Sequence, residues 1–302
     1  ARNSKKSSGL LCQGKPVRFG FIQVEKASYP LSLLCRVLEV SRSGYHAWEA
    51  RAASRRAREN ARLLVEIRAA HAAHRKVYGS PRIWAELNAR GRQVGRHRVA
   101  RIMRENRIVG RRRRRYCRTT DSRHDQPIAP NLVARNFEAE GPDRLWLGDI
   151  TYLPTAEGWL YLAAVLDVFS RRIVGWSMGE TLETRLVLEA FSMATAARGV
   201  NPGMVCHSDR GSQYASADYR KALRAHRCIQ SMSRKGDCWD NAMMESFFGT
   251  MKSEMDVELG QLSRKAVKTI VFDYIEGFYN NKRRHSALDN RSPAEYERGV
   301  RA

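Results

Sequence analysis

Apolar residues in the first part of the chain recur at the spacing of α-helices. Between Leu31 and Trp48 they predict a helical hairpin around a Ser-Arg-Ser-Gly turn. Ser80 and Pro81 are typical of a helix start, and Val94 to Arg107 predicts a second helix after a glycine turn. Residues 1–30 show little periodicity, so we expect a connecting segment there.

From position 145 the pattern changes to short β-rich runs. Residues 145–153, 159–168 and 171–178 are joined by short turns and predict an antiparallel meander. Helices and short strands then alternate, which predicts an α/β core with a mixed five-stranded sheet and flanking helices, the element order of the ribonuclease-H-like architecture. An apolar stripe from Ser263 to Tyr279 predicts a last helix that packs on this core.

These patterns and the basic residues divide the chain into five predicted parts. The parts are a connecting segment at 1–30, a basic all-α region with a helix-turn-helix at 31–110, a basic linker at 111–140, the ribonuclease-H-like core at 141–260, and a C-terminal helix with a basic tail at 261–302.

The formal net charge of +23 arises entirely near the start of the chain. The first 118 residues contain 30 Lys and Arg against 7 Asp and Glu, and the remainder contains 24 of each. Such a field favours a polyanion, of which nucleic acid is the commonest. Charge alone leaves open a solubilising surface, a ribosome-binding surface or a membrane-surface patch.

Two short helices joined by a glycine turn, the second rich in arginine, predict a helix-turn-helix whose recognition helix enters the major groove of DNA. The alternative is an amphipathic hairpin with a solvated basic face, but the local charge excess favours DNA. We expect DNA contacts from the recognition helix at Arg96, Arg98, Arg101 and Arg104. The following run should lie along phosphates and comprises Arg111, Arg112, Arg113, Arg114 and Arg115.

The six cysteines are scattered and include no Cys-x-x-Cys pair, which disfavours a disulfide scaffold and a zinc site and fits a reducing cytosol. His71 and His74 have no cysteine pair nearby, so we interpret them as helix-surface residues. No apolar run approaches the roughly 20 residues that span a bilayer, and we expect no membrane partner.

Three carboxylates are candidates for metal chemistry. Asp149 lies in the first strand of the core, where a buried acid costs several kcal/mol unless it is paired or metal-bound. Asp209 follows a short strand, and Glu245 lies in a helix on whose same face Lys252 returns after about 20° of rotation. Three oxygen ligands suit Mg²⁺ or Mn²⁺, and two such ions can clamp both oxygens of a phosphoryl displacement. Lys252 would then hold a DNA phosphate.

Each acid also has a purely structural explanation. Asp149 is compatible with a turn cap, Asp209 with a turn start, and Glu245 with an ion pair to a nearby arginine. We assign Asp167 to the turn before the third strand and Asp240 to a helix N-cap. Composition and periodicity do not decide between these explanations and a metal site.

Longer motifs carry a resemblance to a known family. Thirty-five residues, 210–244, separate Asp209 from Glu245, which resembles the Asp, Asp, thirty-five, Glu signature of retroviral integrases and related transposases. The motifs at 207–214, 240–248 and 279–288 resemble bacterial insertion-sequence transposases of the IS-three family, and those at 34–45 and 78–83 resemble its downstream-frame product. In that family residues 1–30 would be a frameshift-junction remnant.

The resemblance implies a DNA transposase that cleaves transposon ends and transfers the 3′-hydroxyl to DNA. Its metal-binding catalytic residues would be Asp149, Asp209 and Glu245, with two Mg²⁺ ions that Mn²⁺ can replace. The expected partners are double-stranded DNA, as terminal inverted repeats and target, and further copies of the chain in a homodimer or higher oligomer, in the nucleoid of a bacterial cytoplasm. Further DNA contacts are expected from Arg283, Arg284 and His285. A catalytically silent DNA-binding regulator and a nuclease that cuts without joining stay open.

Overall fold

The computed structural model describes residues 13–52, 54–111, 126–234, 238–255 and 257–301. They form two compact units that divide between Leu63 and Leu64. This division lies inside the predicted region 31–110, so the helix-turn-helix segment belongs to the same unit as the sheet. In the described part of the chain, no helix has the length and apolar character needed to cross a membrane.

The first unit contains three short helices, α1 (Lys15–Glu25), α2 (Leu31–Val37) and α3 (Arg42–Glu49). The hairpin of α2 and α3 was predicted, and the Ser41 side chain caps α3 by accepting from the Gly44 N–H. The prediction that 1–30 is only a connecting segment is wrong, because α1 lies within it. The α1 residues Phe19 and Ile22 join a small core with Tyr45. A fourth helix, α4 (Arg55–Ala73), follows.

Helices α5 (Ser80–Ala89) and α6 (Arg96–Glu105) form the predicted helix pair. The turn between them contains Gly91 at φ 82°, a left-handed conformation that glycine adopts without strain. The Trp84 indole N–H donates to the Val94 carbonyl across this turn at 2.9 Å. Their shared core consists of Ile83, Leu87, Val99, Ile102 and Met103.

A mixed sheet forms the centre of the second unit, as predicted. Its strands lie in the order β3-β2-β1-β4-β5. Strands β1, β2 and β3 pair antiparallel, whereas β4 pairs parallel with both β1 and β5. The bounds are β1 (Leu145–Thr155), β2 (Gly158–Asp167), β3 (Ile173–Gly179), β4 (Val205–Ser208) and β5 (Ile229–Met232).

Helices cover both faces of the sheet. On one face, α7 (Thr184–Arg198) and α9 (Ala217–Ala225) share a core with Trp146 of β1, and the short α8 (Ser212–Ala215) precedes α9. Helix α10 (Ala242–Glu254) packs against β1. The last helices are α11 (Arg264–Phe272), which continues as a π-helix (Asp273–Tyr279), and α12 (Pro293–Arg301). Single 3₁₀ turns lie at Cys238–Asn241, Leu259–Gln261 and Ser286–Leu288.

The predicted stripe of the 263–279 helix packs as expected. Val267, Val271, Tyr274 and Ile275 are fully buried. The Ser263 hydroxyl caps α11 by accepting from the Ala266 N–H, so the helix begins where the sequence indicated. The widening to a π-helix from Asp273 onward was not foreseen.

Helix α7 lies unusually close to β3 at Gly175. A Cβ added at this position would be 2.6 Å from the Ala194 backbone nitrogen and 2.8 Å from the Ala194 Cβ. The absence of a side chain therefore allows the helix to contact the strand directly.

We expect Gly175→Ala to lower the free energy of unfolding by about 1–3 kcal/mol, because the added methyl group overpacks the α7–β3 contact. Urea unfolding followed by circular dichroism measures this loss. The matched control is Gly260→Ala, since no described atom lies within 4 Å of a Cβ built there. Equal stability of the two variants would contradict the close packing.

Candidate active site

Asp149 and Asp209 occupy equivalent places at the end of the parallel β1–β4 ladder, although β1 itself continues to Thr155. The register of β1 and β4 ends with Gly148 opposite Ser208, and each aspartate is the next residue. Both carboxylates are half-buried. The carboxyl ends of parallel strands meet at one edge of a sheet, so the ladder itself brings these two side chains together.

Glycines leave the space that the two aspartates need. The Asp149 Oδ1 accepts from the Ile150 N–H at 2.8 Å, and the Asp209 Oδ1 accepts from the Gly211 N–H at 2.9 Å. A Cβ at Gly211 would be 3.0 Å from that same Asp209 oxygen, and one at Gly148 would be 3.1 Å from the Tyr214 ring. Larger residues at these positions would displace the carboxylate or the ring.

The third carboxylate, Glu245, comes from the first turn of α10. The Asn241 side-chain amide, just before this helix, donates to the Gly148 carbonyl at 3.4 Å. The start of α10 is thereby tied to the residue that precedes Asp149. Lys252, seven residues along the helix, lies on the same face as Glu245.

Electrostatic interactions link the four predicted residues. Burial raises the pKa of Asp149 well above its ordinary value, the negative charge of Asp209 raises it further, and Glu245 adds a smaller increase, while Lys252 opposes the shift. Burial lowers the pKa of Lys252 to about 8, against the opposing attraction of Asp149. The structure therefore brings Asp149, Asp209, Glu245 and Lys252 into one site, in which the two aspartates are the more strongly interacting pair.

The donor set is suited to a hard divalent cation. Within the described ranges, no three His, Cys, Asp or Glu side chains are grouped tightly enough to hold a metal ion as placed. The acids nevertheless repel one another, because Asp209 and Glu245 add to the rise that burial causes in the pKa of Asp149. A cation among carboxylate oxygens relieves this repulsion, and oxygen-only ligands fit Mg²⁺ or Mn²⁺.

Tyr214 is a residue of this site that the sequence did not single out. Its side chain is only 3% exposed and its ring lies against Gly148. Burial raises the pKa of the Tyr214 phenol, and the charges of Asp149 and Asp209 raise it further. The sequence signal that could have indicated Tyr214 is its place in a short helix that starts three residues after Asp209.

Asp240 supports the site instead of capping a helix. The N-cap prediction is wrong, because Asn241 occupies the N-cap position and Asp240 lies in the preceding 3₁₀ turn. The Asp240 carboxylate is fully buried and accepts from the Arg234 guanidinium at 2.9 Å and from the Asn131 amide at 2.8 Å. The Asp240 carboxylate is thus paired with Arg234, which follows β5, and not with the helix N-terminus.

His207 connects β4 with β5 beneath the site. Its Nδ1 lies 2.8 Å from the Ser231 hydroxyl and its Nε2 3.0 Å from the Asp240 carbonyl. Burial lowers the pKa of His207 to about 4, so the ring is neutral at physiological pH. This histidine positions the strand that carries Asp209, a role that only the three-dimensional structure reveals.

Asp167 has the turn role that the sequence predicted. Its carboxylate accepts from the Ser170 hydroxyl at 2.6 Å and from the Ser170 and Asp143 backbone N–H groups, each at 2.9 Å. Asp167 is fully buried, and burial raises its pKa. It is part of the β2–β3 turn and not of the acidic site.

Several known proteins are similar to this chain in sequence. Family models described as an integrase core domain match residues 139–238 and 226–293, and one described as an HTH-like domain matches 57–116. The chain is 43% identical to the insertion element IS600 uncharacterized 31 kDa protein of Shigella sonnei, over 87% of this chain and 97% of that protein. It is 38% identical to transposase InsF for insertion sequence IS3A of Escherichia coli (strain K12), over 93% of this chain and 98% of that protein.

The chain belongs to the IS-three family of insertion-sequence transposases. Among solved structures, the HTLV-2 integrase catalytic core domain in complex with magnesium aligns with 53% of the chain and 99% of that protein, at 14% identity and a TM-score of 0.41. The simian T-cell lymphotropic virus intasome in complex with PP2A regulatory subunit B56 gamma aligns with 70% of the chain and 69% of its own, at 15% identity and a TM-score of 0.45. Membership of the family rests on the similarity to the sequence relatives and not on these structures. Its HTH-like and integrase core domains imply DNA as the partner.

The arginines of this chain that we expect to contact DNA lie on the outer side of α6. Arg96 and Arg104 are exposed, and Arg98 and Arg101 are half-buried. Arg101 is within 3.4 Å of the Glu105 carboxylate. The other side of α6 is occupied by its buried apolar residues, so the basic side faces away from the core.

The basic run that follows is only partly described. Arg111 donates to the Ser253 carbonyl at 3.4 Å and lines a groove of about 740 Å³ together with Tyr152 and Lys252. Arg112, Arg113, Arg114 and Arg115 lie outside the described residues. The groove thus extends from the acidic site, at Lys252, to the first residue of the run.

Arg283 and Arg284 are committed to carboxylates of the protein. Arg283 is 4% exposed and donates to both oxygens of Glu254 at 2.7 Å, and Arg284 donates to Glu86 at 2.6 Å. Arg283 and Arg284, for which the sequence predicts DNA contacts, therefore form ion pairs with buried acids of the protein itself. His285, the third residue predicted from this motif, is half-buried beside Arg283.

His74 is not the helix-surface residue that the sequence suggested. It is 5% exposed, stacks on Tyr78 with ring centroids 4.3 Å apart, and places its Nδ1 2.9 Å from the Ala70 carbonyl. His71 is half-buried, with its Nε2 3.2 Å from the Val109 carbonyl. Both histidines have protein partners that explain them without a metal.

Asp209→Asn removes a negative charge beside Asp149 and should lower the pKa of Asp149 toward its ordinary value of 3.8. The folded wild-type protein binds this proton more tightly than the unfolded chain, so its stability falls as the pH rises from that value through the raised pKa. We expect a smaller fall in Asp209→Asn, and a higher free energy of unfolding above this pH window.

Urea unfolding across a pH series in the presence of a chelator measures this difference. Asp218→Asn is the control, because Asp218 is an exposed aspartate in the first turn of α9. Its pH profile should parallel that of the wild type. An Asp209→Asn profile identical to wild type would mean that the two aspartates do not interact.

Proposed function

We propose that the chain is a DNA transposase that cleaves transposon ends and transfers the resulting 3′-hydroxyl to target DNA by in-line phosphoryl transfer. The observation that carries the proposal is the electrostatic interaction of Asp149 with Asp209 and Glu245, near the end of the β1–β4 ladder and the start of α10. Membership of the IS-three family, with a relative named as a transposase, supports the same reaction.

Asp149, Asp209 and Glu245 would hold the divalent metal, Mg²⁺ or Mn²⁺, as a pair of ions. When bound, the metal supplies Lewis-acid stabilisation of the attacking and leaving oxygens. Because the pKa of Asp149 is raised, cation binding must compete with a proton, and metal affinity should fall as the pH decreases.

Lys252 would hold a phosphate of the reacting strand. Its ammonium has a pKa of about 8 and is mostly protonated at neutral pH. It lies between the acidic site and the groove of about 740 Å³ that Arg111 and Tyr152 line. A DNA strand in this groove would place its phosphates along Arg111 and Lys252 and lead into the carboxylates.

Helix α6 would bind the terminal inverted repeats in the major groove. Its exposed arginines Arg96 and Arg104 are at the first and last turns of the helix. Pairing of two transposon ends requires at least two copies of the chain, so we propose a homodimer or higher oligomer on nucleoid DNA.

Each of Asp149→Asn, Asp209→Asn and Glu245→Gln should reduce cleavage and joining by at least about a thousandfold, which corresponds to about 4 kcal/mol of lost transition-state stabilisation. DNA binding should remain within a few-fold of wild type. The measurement is a strand-cleavage and joining assay with labelled duplexes that carry the ends flanking the gene, in Mg²⁺ and in a chelator. Asp218→Asn should keep full activity.

The same assay separates the alternatives. Cut ends without a joined product would identify a nuclease, and binding without either reaction would identify a DNA-binding regulator. Full activity in any one of the three carboxylate variants would remove that residue from the site.

Arg104→Gln should weaken binding of the same duplexes several-fold and reduce the slope of log K against log salt by about 0.9, as expected for one lost phosphate contact. Fluorescence anisotropy across a salt series measures both quantities. The matched control is Arg224→Gln, an exposed arginine in the last turn of α9. Equal effects of the two substitutions would argue against α6 as the DNA-binding helix.

A further inference from the structure

A second polar pocket lies on the other face of the helix that carries Glu245. It has a volume of about 140 Å³. Ser246 and Thr250 of α10 line it, at about 100° and 140° around the helix axis from Glu245, whereas Lys252 is at about 20°. We call this cavity the back pocket. Besides the two hydroxyls, it is lined by the basic residues Arg82, Arg171, Arg283 and His285.

The back pocket has more positive charge than its acids neutralise. Glu254 accepts from Arg283 at 2.7 Å through both oxygens, and its approach to Arg82 is a longer 3.8 Å. In the described part of the chain, no carboxylate lies within ion-pair distance of the Arg171 side chain. Three guanidinium groups therefore share one carboxylate, which leaves an excess of two positive charges.

The neighbouring titratable groups respond to this excess. Burial lowers the pKa of His285 well below its ordinary value, and the charges of Arg283, Arg82 and Arg171 lower it further. Burial and the charge of Arg283 also lower the pKa of Arg82. His285 is therefore neutral at physiological pH, and the local potential is one that an anion would stabilise.

Size and chemistry restrict the occupant. The volume of about 140 Å³ is suited to a small tetrahedral oxyanion. Guanidinium groups bind phosphate oxygens through paired N–H donors. The hydroxyls of Ser246 and Thr250 add two further donors from α10.

We infer that the back pocket binds a phosphate group, and that its occupant is a backbone phosphodiester of DNA held by Arg82, Arg171 and the α10 hydroxyls. The identity of the occupant rests on the proposed transposase function, whereas the phosphate site itself rests on the pocket. DNA bound in this way would contact α10 on the face turned away from Lys252.

The test compares Arg171→Gln with Arg224→Gln in the full chain. Arg171 is half-buried in the β2–β3 turn, so its replacement should preserve the fold. Anisotropy with a mixed-sequence duplex across a salt series is the readout, because phosphate contacts do not depend on sequence. We expect Arg171→Gln to lower affinity about tenfold and the salt slope by about 0.9, and Arg224→Gln to change neither.

Wild-type affinity and slope in a folded Arg171→Gln protein would overturn the inference. If Arg171→Gln melts at a lower temperature than wild type, Ser246→Ala provides the same test with a smaller expected loss of about threefold. Titration with inorganic phosphate separates the two sources of the ligand. Phosphate binding that Arg171→Gln abolishes, without any change in DNA affinity, would overturn the assignment to DNA.

The inference and the proposed function fail in different ways. Loss of DNA affinity in Arg171→Gln, combined with no cleavage or joining by the wild type, would retain the phosphate site and reject the transposase reaction. Normal cleavage and joining by the wild type, combined with unaltered DNA binding in Arg171→Gln, would reject the back pocket alone.

Discussion

Mutual repulsion between Asp149 and Asp209 is the constraint on which the site depends. Burial is the main cause of the raised pKa of Asp149, and the negative charge of Asp209 raises this pKa further, so two ionised carboxylates here destabilise the fold. The β1–β4 ladder, paired up to Gly148 and Ser208, prevents the two residues from separating. Core packing and backbone hydrogen bonds thus offset the repulsion, and the fold keeps a site whose charge only a cation or a proton can relieve.

Ion pairs of buried carboxylates link the elements around the site. Glu254 at the end of α10 pairs with Arg283, Glu86 of α5 pairs with Arg284, and Asp240 pairs with Arg234. Such pairs contribute little net stability compared with apolar packing, but loss of one partner leaves an uncompensated buried charge. The Glu254–Arg283 and Glu86–Arg284 pairs therefore favour a single arrangement of the helix-turn-helix segment, α10 and the C-terminal segment, all within the second unit.

The strands and long helices could be predicted from the sequence because their apolar periodicity is local. Helix α1 was missed because only two of its residues, Phe19 and Ile22, are buried, and their apolar partners come from α2 and α3. The acidic site could be predicted from the family's spacing, since 35 residues separate Asp209 from Glu245. The roles of Asp240 and Arg283 could not, because each depends on a partner that the fold brings from elsewhere in the chain.

Helix α10 connects these observations, because its faces carry opposite kinds of chemistry. One face presents Glu245 and Lys252 to the aspartates, and the other presents Ser246 and Thr250 to a cluster of arginines. A helix with 3.6 residues per turn separates these groups by a third of its circumference within a few residues. Any shift of α10 caused by an anion in the back pocket would also move Glu245 relative to β1. If DNA occupies the back pocket and a metal binds Glu245, as we propose, both ligands would contact the same helix on different faces.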